Sequence, residues 1–128
     1  MHAAWKFETD PAHKLLRITL SGTFSVANVE QMDLERKGAI GLLKCGFNDH
    51  VVLIDVSRCD LSTPDVAEAL QAAIGNPVFR AGKCAMVVAT TLIWMQARRV
   101  VNRPDMRFCA SVEEAEAWLI GEAAAAAA

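Results

Sequence analysis

The chain has 128 residues, 53% of them hydrophobic and 22% charged, with a formal net charge of −2 at neutral pH. These values describe one globular domain with a genuine core, expected over residues 1–122, followed by a disordered alanine tail over 123–128. The charge leaves no basic excess for a nucleic-acid partner, and no apolar run approaches the roughly 20 residues of a membrane-spanning helix.

The opening MHAAWKFETD has neither a basic leader nor an apolar signal core, so a cytoplasmic chain is expected. Trp5-Lys6-Phe7-Glu8 alternates apolar and polar residues as a half-buried strand does. Asp10-Pro11-Ala12-His13 is turn chemistry, with His13 as a solvated loop residue. Leu16, Ile18 and Leu20 alternate with Arg17, Thr19 and Ser21, and the short connection makes the two strands antiparallel.

A helix is expected from about Val26 to Lys44, with Asn28 and Gln31 resembling a capping box. Glu30, Asp33, Glu35, Arg36 and Lys37 read as its solvated face. Val51-Val52-Leu53-Ile54 is a continuous apolar run, which a strand buried on both faces requires. It is expected to pass through Asp55-Val56-Ser57 into a polar loop and to restart as a helix over Pro64–Ile74. Proline suits the first helical position, with Ser62 or Thr63 as cap. Lys83 to Ala89 forms the next apolar strand, ending at Thr90-Thr91.

A third helix is expected from about Leu92 to Asn102, stopped by Arg103-Pro104. Ile93, Ala97, Val100 and Val101 share one face, with Trp94 at its edge. Leu92 and Met95 fall opposite, among Arg98 and Arg99, as scattered surface hydrophobes or as a partner or ligand surface. Met106-Arg107-Phe108-Cys109 is a short strand. Ser111-Val112-Glu113-Glu114 is a full capping box for a last helix striped by Val112, Ala115, Trp118 and Leu119. The order is β-β-α-β-α-β-α-β-α: an α/β domain whose mostly parallel five-stranded sheet is opened by an antiparallel hairpin.

The four cysteines, Cys45, Cys59, Cys84 and Cys109, show no CxxC spacing and no neighbouring histidine, so reduced thiols are expected and no metal or other cofactor is. Cys84 and Cys109 read as core residues, and Cys59, in the polar loop, as a candidate reactive thiol with only Arg58 nearby in sequence to lower its pKa. Neither GxGxxG, GxxxxGK[ST] nor GxSxG occurs. His2, His13 and His50 accompany no nucleophile, so no enzyme is expected. Asp55 lacks the acidic pair that a magnesium-dependent phosphoacceptor needs and reads as a carboxylate bonded to nearby backbone. What remains is a set of hydroxyls: Ser57, Ser62 and Thr63 after the third strand, and Thr90 and Thr91 after the fourth. They are either helix caps or a phosphorylatable, interacting rim at the carboxyl ends of neighbouring parallel strands.

Taken in order, LLRITLSGTFSVANVE, VVLIDVS, CAMVVAT and FCASVEEAEAWL resemble the STAS family of sulphate-transporter and anti-sigma-antagonist domains. The likeness is to its stand-alone SpoIIAA-like branch, also grouped as STAS/SEC14-like. It implies a SpoIIAA-like fold and a non-catalytic regulatory module with a protein partner, such as an anti-sigma-type kinase. Members of the family carry Asp-Ser-Ser-Gly where the next helix begins, and phosphorylation of a serine there releases the partner. Here the matching residues are Leu61-Ser62-Thr63-Pro64-Asp65. Counted without gaps from Asp55, Pro64 falls on the first serine, and a shift of one or two residues brings Thr63 or Ser62 there. The glycine is replaced and proline stiffens the turn. The SEC14-like grouping implies the alternative: a small apolar or lipid ligand beside Leu92, Trp94 and Met95, with Arg98 or Arg99 meeting an anionic head. A homodimer through Leu92 and Met95 would use the same residues.

Overall fold

The computed structural model describes residues 2–43, 49–60, 64–74, 82–88 and 106–121. Five strands, β1 (Ala4–Asp10), β2 (Leu15–Thr23), β3 (Val51–Asp60), β4 (Lys83–Val87) and β5 (Met106–Cys109), form one sheet in sequence order. The pair β1–β2 is antiparallel and every other pair is parallel. Among the described residues three helices accompany them: α1 (Val26–Gly41), α2 (Pro64–Ile74) and α3 (Val112–Glu116), the last continued by a π-helical turn over Ala117–Gly121. The α/β sheet opened by a hairpin is therefore as the sequence predicts. The helix expected over 92–102 lies outside the described residues.

The hairpin follows from its turn chemistry. Pro11–His13 makes one 3-10 turn, and Lys14 leaves it in the left-handed region at φ 52°. His13 Nδ1 lies 2.7 Å from Asp10 Oδ2, a bond that holds the Asp10 carboxyl below its ordinary range.

Continuous apolar runs are needed where both faces of a strand are covered. On one face, Leu16, Ile18 and Leu20 of β2, Val52, Ile54 and Val56 of β3, and Cys84 and Met86 of β4 pack with Val29, Met32 and Ile40 of α1 and Val66 of α2. On the other, Leu15, Leu53, Ala85, Val87 and Cys109 pack beneath Ala115 and Leu119 of the last helix. Cys84 and Cys109 are core residues, as read from the sequence. Burial and the nearby Glu114 carboxylate push the Cys109 thiol up.

The helix caps show how local chemistry sets boundaries. Ser25, not Asn28, is the N-cap of α1. Its Oγ accepts the Asn28 N–H at 3.2 Å, and Asn28 Oδ1 accepts the Ser25 N–H at 2.9 Å, closing the box from both sides. At α3, Ser111 Oγ accepts the Glu114 N–H at 3.1 Å, while Glu114 reaches back to the Ala110 N–H at 2.9 Å. Trp118 then lies under two cations, with Lys83 Nζ 5.3 Å and the Arg107 guanidinium carbon 5.9 Å from its ring centroid. Arg17 of β2 donates to Glu116 at 2.6 Å and ties the helix to the middle of the sheet.

One reading of α1 is corrected. Arg36 does not belong to a solvated face; it is 5% exposed. It stands in the stripe Val29, Met32, Ala39, Ile40 that faces the sheet, and its head group turns sideways to α2. The large exposed apolar side chains among the described residues are Leu34 of this helix and Leu42, its C-cap, instead.

Gly22, in β2, has φ +83°, and a Cβ built there would lie 2.1 Å from the His2 carbonyl oxygen. Both the left-handed backbone and the close approach exclude a side chain. Gly22→Ala is expected to lower the unfolding free energy by about 2 kcal/mol or more, because the left-handed backbone alone costs about 1–2 kcal/mol and the clash is with main-chain atoms that must shift. Chemical denaturation of the two proteins measures it, and an unchanged midpoint would refute it.

Candidate functional site

The parallel chain path β2-α1-β3-α2 brings the carboxyl ends of β2 and β3 and the amino ends of both helices to one rim of the sheet. There Thr23 pairs with Asp60, Gly22 with Cys59 and Ser21 with Arg58. The N-terminus of α1 is closed by its own Ser25–Asn28 box. The N-terminus of α2 opens at Pro64, with Asp65 as an acidic residue in its first turn. Only residues 61–63 separate it from the end of β3, so Ser62 and Thr63 fall within that connection, outside the described residues.

The strand that delivers this connection is longer than the sequence suggests. β3 does not turn into a loop at Ser57; it continues to Asp60. The cause is a bulge. From Thr19 to Ser21 β2 advances two residues, while from Asp55 to Arg58 β3 advances three. The extra residue breaks the alternation, so Cys59 joins Val56, Ile54 and Val52 in one cluster rather than falling beside Leu53. Cys59 is accordingly buried at 2% exposure and is not the accessible thiol expected of a loop residue.

Asp55 supports the bulge. Its Oδ1 accepts the Ser57 N–H at 2.9 Å, a local bond that satisfies a main-chain donor where the ladder is interrupted. The carboxylate is bonded to nearby backbone, as the sequence reading has it. Ser57 itself is half-buried within a strand, which separates it from Ser62 and Thr63 in structural setting.

β3 and β4 are parallel neighbours, the arrangement that a shared hydroxyl rim requires. Their ends are nevertheless staggered. Asp55, opposite Val87, is the last β3 residue to pair with β4, and β3 runs on through Asp60. That overhang of Val56–Asp60 amounts to roughly 15 Å of strand. Among the described residues, Arg58–Asp60 pairs with β2 and with no other strand, and the 61–63 connection follows it in the sequence. Thr90 and Thr91 lie outside the described residues, as do Leu92, Trp94, Met95, Arg98 and Arg99, so the expected apolar cleft is not among the described parts of the chain.

A shallow groove of about 220 Å³ does run between α1 and α2, lined by Val29, Glu30, Asp33, Ala69, Ala72 and Ala73. Its walls are small side chains and its charges are two carboxylates, which disfavour an anionic head group there. Among the described residues no group of three His, Cys, Asp or Glu side chains gathers to hold a metal ion. No helix among them is long and apolar enough to cross a membrane.

Comparison with solved structures shows what this architecture is. A crystal structure from Shewanella loihica PV-4, described as an uncharacterized protein of the DUF3478 family with a SpoIIAA-like fold, superposes with a TM-score of 0.63. The match covers 91% of this chain and 93% of that one, at 22% sequence identity. The fold is SpoIIAA-like. The resemblance read from the sequence motifs therefore holds at the level of fold. No protein-family model matches the sequence, and no curated protein matches it.

Proposed function

We propose that this SpoIIAA-like domain is a non-catalytic regulatory module that docks a protein partner where β3 leads into α2, with Ser62 and Thr63, and Thr90 and Thr91 after β4, as the candidate contact or phosphoacceptor residues. The observation that supports this most is the overhang of β3. Beyond a bulge bridged by the Asp55 side chain, β3 runs on to Asp60, and the three residues between it and the start of α2 include Ser62 and Thr63. Phosphate on Ser62 or Thr63 would place about two negative charges beside Asp65, a change sufficient to repel an acidic partner surface. The partner class is an anti-sigma-type kinase of the cytoplasm, as the family resemblance implies.

Incubation with an anti-sigma-type kinase and ATP, read by intact mass, tests it. One phosphoryl group is expected on the native chain and on Ser57→Ala, and none on a Ser62→Ala/Thr63→Ala double variant. Absence of phosphate and of binding to such kinases would sink the switch.

The second reading is a small-molecule or lipid carrier of SEC14-like type, built around Leu92, Trp94, Met95, Arg98 and Arg99. The acidic, alanine-lined groove between α1 and α2 does not supply such a site, so the reading rests on those residues alone. Native mass spectrometry after mild purification discriminates the two: a co-purifying apolar ligand, lost on Trp94→Ala, would favour the carrier.

A further inference from the structure

We infer that the outer edge of β1 pairs antiparallel with the same edge of a second copy of this chain, with the two-fold axis at Phe7. β1 is the first strand of the sheet, is seven residues long, and has β2 as its partner on one side. Among the described residues no strand pairs with its other side, so a row of main-chain donors and acceptors is left there. An edge of this length is a template for strand addition unless its side chains forbid it.

The side chains select one register instead. Trp5 and Phe7 point to the α1 face, where both are only partly buried against the main core. Lys6 and Glu8 are exposed, at 71% and 46%, and lie 3.2 Å apart along the same strand. A two-fold at Phe7 sets Lys6 opposite Glu8 of the other copy, and Glu8 opposite its Lys6. Phe7 then faces Phe7, and Trp5 faces Thr9, so each half-buried aromatic gains cover. Moving the axis to Lys6 opposes two lysines, and moving it to Glu8 opposes two glutamates. An axis between residues sets charges against aromatic rings, because a slip of one residue flips the face. The order Lys-Phe-Glu is thus self-complementary in a single antiparallel register.

A lone lysine on an edge strand normally blocks pairing. Glu8, placed two residues on, turns that block into a selector for an identical strand. Because β1 lies at the far side of β2 from β3, the joined sheets leave the rim at α2 uncovered. The inference does not depend on the function proposed for that rim.

Sedimentation velocity on the full chain tests the inference. The native protein is expected to sediment as a dimer at tens of micromolar. Lys6→Glu and Glu8→Lys should each weaken association about tenfold or more, since each converts two opposite-charge pairs into like-charge pairs. Mixing the two variants should restore a dimer, because an edge with two acidic side chains then meets an edge with two basic ones, and both cross-strand pairs are again opposite in charge. Loss of the pair within one strand cannot produce rescue between chains. A native monomer, a dimer that survives either single reversal, or a mixture that stays monomeric would each overturn it. A surviving dimer would place the contact elsewhere, for instance on the exposed Leu34 of α1 and Leu42 at its C-cap.

Discussion

His50→Leu is expected to raise the unfolding free energy by about 2 kcal/mol at pH 7 and to flatten its dependence on pH below 6.5. His50 precedes β3, is 0% exposed, and has no hydrogen-bond partner at either ring nitrogen among the described residues. A buried polar group left unbonded costs about 1–3 kcal/mol, and an apolar side chain of similar size removes that cost. The imidazole is also held neutral. Burial lowers its pKa from the ordinary 6.5, the positive charge of Arg36 lowers it further, and Asp49 opposes both. Below pH 6.5 the unfolded chain therefore binds a proton that the folded chain refuses. Stability is full above 6.5 and falls as the pH drops toward the lowered folded value, by at most about 1.4 kcal/mol per pH unit. Asp10, whose carboxyl is also lowered, acts in a separate window below its ordinary 3.8. Urea titrations from pH 7.5 to 5 on the native chain, His50→Leu and His50→Asn separate the two effects. Both variants should lose the slope, and only leucine should gain stability at pH 7. A slope that persists in both would mean that the proton binds elsewhere.

The legible parts of the fold are those with punctuation. α2 spans Pro64–Ile74, bounded as proline at the first turn and the Gly75-Asn76-Pro77 stop predict. β5 covers the residues assigned to it, and Ser111 starts the last helix as its motif requires. The sheet order follows because short connections and right-handed crossovers leave few alternatives.

Three features were written in the pattern and masked by a local irregularity. The bulge hides the second half of β3, since Val56 and Cys59 are three apart and look like loop until one residue is counted out. His50 is in phase with Val52 and Ile54, so extending the alternation one step back places it in the core. Arg36 follows Val29 and Met32 at helical spacing and precedes Ala39 and Ile40, which puts it on the buried face despite its charge. The sequence showed a strand feeding the start of α2. It misjudged the setting of Ser57, because an aspartate-supported bulge and a polar loop share the same residue types.

Arg36→Met is expected to destabilise the domain by about 3 kcal/mol, and to do so through the contact between α1 and α2. The guanidinium donates to Asp33 Oδ1 through Nη2 at 2.7 Å and Nε at 3.0 Å, and Nη2 also donates to the Ala73 carbonyl of α2 at 3.0 Å. Methionine keeps most of the stem that packs in the apolar stripe, so the loss isolates the head group. It strands a carbonyl that is buried between helices and leaves Asp33, whose side chain is 16% exposed, without its principal partner. Breaking a buried pair on one side costs about 3–5 kcal/mol, and Lys37, 3.2 Å from Asp33 Oδ2, holds the value to the lower end. Arg36→Met/Asp33→Leu, which removes both charges, should recover more than half of the loss. The same pair of variants reports on His50, because taking away the neighbouring positive charge lets its pKa rise back toward 6.5 and shortens the acid-sensitive window. Urea midpoints at pH 7 and pH 5.5 read both effects. A smaller loss at pH 5.5 than at pH 7 is the result expected from their interaction.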